Sequence, residues 1–305
     1  MMEQYTFTHK DTDLASYRWL PQDKPRARLF LAHGMTEHAQ RYDEFARFLC
    51  DHGIAVYAHD HRGHGQTQSP GIRGHFADKD GWNLCVEDIA SHIEFIRAEQ
   101  DPLPFFLFGH SMGSFMAQEY IIRFSNRIAG CILSGSNGKP QFVASLGRYL
   151  YRIARLRKGR RGFSRVLDKI GREELMRNFK PLRTQKDWLT RDEAIVDIAV
   201  NDPNCNFDTT NQMWIDLLDA YEEIAIPKRQ EQIRKDLPLF LFSGSRCSVG
   251  LEGKGLRNLL NAYSQAGLYR VQYIIYPGGR HEMLNETNRE EVYRDVIQWL
   301  DSQLS

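Results

Sequence analysis

With 305 residues, 42% of them hydrophobic and 26% charged, the chain has an ordinary globular make-up and enough length for a substantial core. A net charge of +1 argues against a nucleic-acid-binding protein, and no stretch approaches the roughly 20 apolar residues of a membrane span. Cys50, Cys85, Cys131, Cys205 and Cys247 are odd in number and form no CxxC. That pattern argues against a zinc ribbon or a disulfide framework and for a reducing, cytoplasmic setting. The opening MMEQYTFTHKDTDLASY has early charges and no apolar run, so no secretory signal is expected.

In chain order, YTFTH and LASYRWL alternate and predict an antiparallel pair of strands. ARLFLAHG is an apolar run ending in glycine, a buried strand. Tyr42 to Cys50 predicts a helix and IAVYAHD the next strand. Trp82, Val86, Ile89, Ile93 and Ile96 recur at helical spacing. PFFLFG predicts a strand, Met116 to Phe124 a helix and GCILSG a strand. After the middle of the chain, LPLFLFSG predicts a strand, Gly255 to Ala266 a helix and YRVQYIIYPGG a strand. Glu290 to Gln303 closes the chain as a helix with Val292, Val296, Trp299 and Leu300 inward. Eight strands with interleaved helices imply an α/β fold, a mostly parallel sheet covered on both faces. Residues 1–136 and 236–305 are expected to form this core. The stretch 137–235 lacks strand alternation and is expected to be an inserted helical cap.

The chemistry concentrates in a few turns. "LFGHSMGSFMAQEY" holds Gly109-His110-Ser111-Met112-Gly113, a G-x-S-x-G between a predicted strand and a predicted helix. A sharp strand-to-helix turn exposes the Ser111 hydroxyl, and the flanking glycines remove side chains that would clash there. The Met112 N–H then lies at a helix N-terminus, where a developing oxyanion is favoured. His33-Gly34-Met35 ends an earlier strand, and the Met35 N–H is the expected second oxyanion donor. In "YPGGRHEMLNE", His281 follows the last strand, in the chain order a general base requires here. His59, His61 and His64 surround Asp60 in "YAHDHRGHGQT". Their spacing does not match a dinuclear hydrolase, so no metal is expected, and Asp60 and Arg62 are expected to tie that loop down near the mouth of the site.

These motifs resemble the monoglyceride lipase and lysophospholipase branch of the α/β-hydrolases, the serine-aminopeptidase-like lipases. HGMTEHAQRY, DHRGHGQT, GHSMGS, DWLTRDEAIVDIAVNDPNCNF and YPGGRHEMLNETNREEVYRDVIQWL carry the resemblance, in the family's order and across most of the chain. It implies an eight-stranded α/β-hydrolase core under a helical cap, Ser111 as nucleophile, His281 as base and Met35 with Met112 as oxyanion donors. It implies an acyl ester substrate with a small polar head, a monoacylglycerol or lysophospholipid, and no cofactor.

One position departs from the family. There, the strand matching LPLFLFSG is followed by a loop whose aspartate completes the triad, in a pattern like G-x-x-D-P-V-G. Here the loop reads Gly244-Ser245-Arg246-Cys247-Ser248-Val249-Gly250, so Cys247 holds the acid's place. A thiol is neutral at its ordinary pKa of about 8.5, although pairing with His⁺ favours a thiolate. Three outcomes stay open: an acid moved to Glu252, Glu282 or the region of Asn137; a slow Ser–His pair; or a silent protein that keeps an acyl-ligand pocket.

The cap is locally basic. Residues 147–186 hold 14 Lys/Arg against 3 Asp/Glu, a balance of +11 that leaves −10 for the remainder. Phe142, Leu146, Tyr149, Leu150 and Ile153 form an apolar stripe there, and Arg148, Arg152 and Arg155 line another face. A charge run of this kind is a solvated face or a contact for anionic lipid, so peripheral membrane contact through the basic cap is one expected partnership.

Overall fold

Five short apolar runs become the inner strands of one sheet because each is apolar on both sides and must be covered on both faces. They are β3 (Ala27–Ala32), β4 (Ile54–His59), β5 (Phe105–His110), β6 (Gly130–Ser134) and β7 (Leu239–Gly244), every residue of which is buried. β1 (Met2–His9) and β2 (Thr12–Trp19) form the antiparallel pair expected at the start, and β8 (Val271–Tyr276) is a more exposed edge. The computed structural model describes residues 2–67, 71–98, 102–139 and 142–304, with the side chains of 142–144 left aside.

The eight strands run in the order β1-β2-β4-β3-β5-β6-β7-β8. β2 meets β4 antiparallel, and all pairs from β4 to β8 are parallel. The order reverses around β3 and β5, where the crevice at the carboxyl ends of the strands is the usual ligand site of such sheets.

Helices cover both faces. α1 (Asp43–Asp51) and the closing α10 (Arg289–Leu304) pack one side, in a core with Phe45, Phe108, Val296 and Trp299. α2 (Gly81–Ala98), α3 (Met112–Phe124), α7 (Asn211–Ile224) and α9 (Lys254–Gln265) pack the other. All the inward residues expected of α2 and α10 are buried. α3 starts four residues earlier than the pattern predicts. Gly113 and Ser114 are weak helix formers, and it is the tight turn at Ser111, rather than propensity, that begins the helix.

Between β6 and β7 lie α4 (Phe142–Lys158), α5 (Arg165–Met176), α6 (Glu193–Asn201), α7 and α8 (Pro227–Gln230). α6 starts on an Asp192 cap that accepts from the Ala194 and Ile195 N–H, and α7 on a Thr210 cap that accepts from Met213. α4 lies on α7. Its arginines point inward: Arg152 bonds Asp219 at 2.9 Å, Arg148 stands 3.7 Å from the same carboxylate, and Arg155 bonds Gln212. Leu146, Tyr149, Leu150 and Ile153 face solvent instead. These three arginines are thus partly solvated and partly engaged with the carboxylate and amide of α7, and the apolar stripe lies outside. The Phe142 side chain falls outside the described residues.

Candidate active site

β5 ends at His110 and α3 begins at Met112, so Ser111 is the whole connection. Its backbone sits at φ 52°, ψ −120°, a strained geometry for a residue with a side chain. Neighbours hold it there: Ser111 N–H donates to Ser134 O at 2.9 Å, and the Ser114 hydroxyl donates to Ser111 O at 2.6 Å. A Cβ on Gly113 would lie 2.1 Å from Ala32 O, and one on Gly109 would lie 2.4 Å from Gly113 O. The turn closes only with glycine at both places. Met112 is the first residue of α3, so its N–H is one of the helix's orphan donors.

The turn after β3 lies against this elbow. A Cβ on Gly34 would stand 3.2 Å from Ser111 Cβ. Met35 follows, half-buried against the core. Glu37, which sequence reasoning passed over, fixes the turn: its carboxylate accepts from the Gly34 N–H, from the Tyr42 hydroxyl at 2.8 Å and from Arg41 at 2.7 Å. Arg41 also forks onto Glu282 with two bonds of 2.7 Å. Burial opposes the charge on Glu282, but Arg41 outweighs it and holds the carboxyl down at about 2. One buried ion-pair network thus ties the Gly34–Met35 turn to the neighbour of His281.

His281 is buried, 4.7 Å ring to ring from His110, which precedes the nucleophile position. Gly135 makes room for it, since a Cβ there would lie 2.9 Å from the His281 Cε1. Its Nδ1 is 3.1 Å from the Cys247 sulfur. Burial, with His110 adding to it, lowers the His281 pKa to about 3. Burial also pushes the Cys247 thiol up, against hydrogen bonds to the sulfur from the Gly250 N–H, the Ser243 hydroxyl and the Val249 N–H. The Gly250 N–H stands 3.2 Å from the sulfur.

None of the other three candidates for a moved acid takes that place. Glu252 is exposed and accepts from Asn178 at 2.8 Å. Glu282 is held by Arg41 and by Asn285. Asn137 donates to Val249 O and packs under Gly255. Trp188, from the stretch between β6 and β7, lies 5.0 Å from the His281 ring and was not singled out by sequence. Around it, Glu282 N–H donates to Leu189 O at 2.7 Å, Arg280 donates to Asp187 O and Thr190 O, and Arg191 bonds Glu286. That stretch is stitched to the loop that carries His281.

Asp60 and Arg62 tie the histidine-rich turn down, as expected. Asp60 accepts from the Ala39 and Gln66 N–H and the Tyr17 hydroxyl, while Arg62 forks onto Asp88 of α2 and reaches Thr12. Arg62 thus anchors the loop to α2 and the start of β2. His59, His61 and His64 are buried, and burial holds His61 at about 3 and His64 at about 4. Among the described residues, one group of side chains is close enough together that it could hold an ion: His38, Asp202 and Cys205.

The family model described as "Serine aminopeptidase, S33" matches residues 23–288. The chain belongs to this family. Within the serine aminopeptidase family it is an α/β-hydrolase of the monoglyceride lipase kind. It is 28% identical over 286 residues to a monoacylglycerol lipase of Mycolicibacterium smegmatis, covering 94% of this chain and 92% of the relative. It is 28% identical over 294 residues to the rat (Rattus norvegicus) monoglyceride lipase, covering 92% and 86%. Among solved structures, a thermostable carboxyl esterase from Bacillus coagulans in complex with glycerol superposes with a TM-score of 0.92 at 27% identity, covering 100% and 99%. The Saccharomyces cerevisiae monoglyceride lipase shares the fold, with a TM-score of 0.76 at 20% identity, covering 99% and 96%. The chain is accordingly a hydrolase of the lipase and esterase type. No helix among the described residues is long and apolar enough to cross a membrane.

Proposed function

We propose that the protein cleaves carboxylic esters of small lipids, monoacylglycerols or lysophospholipids, through an acyl-enzyme on Ser111. The observation that carries this is the Ser111 elbow, with its strained backbone, its two obligatory glycines and the Gly34–Met35 turn beside it. His281 takes the hydroxyl proton on Nε2 as Ser111 attacks the carbonyl carbon, and returns it to the leaving alcohol. Water repeats the cycle on the acyl-enzyme. The Met35 and Met112 N–H groups stabilise the oxyanion of both tetrahedral intermediates. The monoacylglycerol lipases among the relatives support a glyceride substrate. Residues 137–235 act as a cap over the site, and Trp188 brings the cap to His281.

Cys247 makes this a slow enzyme. Its sulfur lies 3.1 Å from His281 Nδ1, and with the proton on Nδ1 the Nε2 lone pair is left for Ser111. A neutral thiol stabilises the imidazolium far less than a carboxylate. Loss of the acid costs on the order of 10⁴ in kcat in serine proteases. The same neutral pair supports a second reading, a silent homologue that binds an acyl ligand. A fluorophosphonate probe separates the two: it should label the wild type and spare Ser111→Ala. Absence of labelling after long incubation, with fatty acid bound to the purified protein, would establish the silent form.

The site is reached from a lipid surface through α4. Its exposed Leu146, Tyr149, Leu150 and Ile153, with Leu156 beyond them, form the apolar face of an interfacial helix. The lysines and arginines that follow in 157–172 supply attraction to anionic headgroups. Five free cysteines support a reducing, cytoplasmic setting for this peripheral enzyme.

A further inference from the structure

We propose that His38, Asp202 and Cys205 form a binding site for a thiophilic divalent cation, Zn2+ above all, at the seam between the loop after β3 and the turn after α6. His38 Nε2 and Asp202 Oδ2 are 2.8 Å apart. One ligand atom from each of the three residues lies within 4.8 Å of the other two. A tetrahedral zinc site with bonds of about 2.0 to 2.3 Å sets its donor atoms roughly 3.3 to 3.7 Å apart. To reach that spacing the imidazole and the carboxylate open by about half an ångström, and any separation near the 4.8 Å limit closes by about 1 Å. Three protein ligands leave a fourth position for water.

The local chain geometry prepares the donors. Asp202 starts a tight turn in which Asn204 N–H donates to Oδ1 at 2.7 Å and Cys205 N–H donates to the Asp202 carbonyl at 3.0 Å. That leaves Oδ2 to face His38 and brings the Cys205 sulfur round to the same side. His38 and Cys205 are buried, so the imidazole and the thiol are shielded from bulk water. Lys186, the nearest ammonium, is committed to the Cys205 carbonyl at 2.6 Å.

The donor set itself favours a divalent cation. Coordination releases the Cys205 proton to solvent, since a metal-bound thiol is deprotonated outright. The Asp202 carboxylate and the Cys205 thiolate then supply two negative charges, which a divalent ion offsets. One imidazole, one carboxylate and one thiolate select Zn2+ over Mg2+ or Ca2+, which take oxygen ligands.

Such an ion would staple the turn after α6 to the loop that carries Glu37 and Gly34. The test uses the full chain, stripped with a chelator and titrated with Zn2+ against a chromogenic competitor, then with Co2+ for its spectrum. The expected result is one equivalent of Zn2+ bound, and a thiolate-to-Co2+ charge-transfer band with tetrahedral d–d absorption. Cys205→Ser should remove the band, and Cys205→Ser, Asp202→Asn and His38→Gln should each weaken Zn2+ binding roughly tenfold or more, since even outer partners of a ligand are worth that much. Cys247→Ala should keep both the band and the affinity. Absence of saturable binding, a band that survives Cys205→Ser, or a band lost in Cys247→Ala would overturn the proposal. The last result would move the ion to the Cys247–His281 pair.

Discussion

Cys247 occupies a pocket that still fits an anion. The Gly250 N–H points at its sulfur from 3.2 Å, and His281 Nδ1 lies 3.1 Å from it. A carboxylate in this place would accept from both. Cys247→Asp should therefore raise kcat/KM on a soluble ester, by about 10² to 10³ out of the roughly 10⁴ such an acid is worth. The pH profile should change with it. A carboxylate beside the imidazole favours its charged form, so the His281 pKa moves up from about 3 towards the ordinary range near 6.5. An acidic limb should then appear near neutrality in the variant and be missing there in the wild type. Cys247→Ala is the control: lower activity marks the sulfur as the Nδ1 partner. Flat activity and an unmoved profile in Cys247→Asp would sink this account. Ser111, His281 and the odd cysteine were legible in sequence because each sits in a short glycine-bounded turn after a strand. Glu37 and Trp188 were not, since their roles come from partners brought in by the fold: Arg41 holds Glu37 and also Glu282, which lies 241 positions after Arg41 in the chain.

Among the elements, α4 shows how far composition can mislead about direction. An amphipathic helix rich in arginine reads as basic face out, but here α7 presents Asp219 and Gln212, and the arginines turn to them. The Arg152–Asp219 pair is partly solvated, with side-chain exposures of 42% and 37%, so Arg152→Ala should cost no more than about 1 kcal/mol of stability. The outward apolar stripe carries the interfacial role. Leu150→Asp with Ile153→Asp should abolish co-sedimentation with anionic vesicles and change p-nitrophenyl butyrate turnover much less. Vesicle binding equal to wild type at low salt would reject the interfacial role of α4. The strands and the long core helices were readable because their apolar runs or stripes are nearly unbroken. The bounds of α4 to α8 were not, because that segment is polar on average and draws its order from caps such as Asp192 and Thr210 and from ion pairs to the core.

At the scale of the whole molecule, the sheet is laid over a ladder of neutral histidines. His33 and His61 lie tilted at 4.1 Å, His59 meets His61 and His92 at 5.4 Å each, and His92 stacks on Phe7 at 4.2 Å. Burial lowers the pKa of every one of them: His61 and His92 to about 3, His64 to about 4, and His33 and His59 well below the ordinary value. His110 at about 4 and His281 at about 3 join them at the site. In the unfolded chain all seven titrate near 6.5, so the unfolded state binds more protons below that pH. Their contribution to stability is complete above about pH 6.5 and is lost as pH falls towards 3 to 4. The seven act in the same direction, while Asp216, pushed up to about 7 by burial, takes up a proton within the fold and works against them. The arginine-held carboxylates act later, since Glu282 at about 2 loses its contribution only below the ordinary carboxylate range. Cooperative acid unfolding should therefore set in between about pH 5 and 6, well above the carboxylate range. Thermal melts followed by far-ultraviolet circular dichroism from pH 7.5 down to 4.5 measure this directly. A Tm that holds constant down to about pH 5 would show that the ladder takes up protons within the fold, and that its burial does not govern the molecule's response to acid.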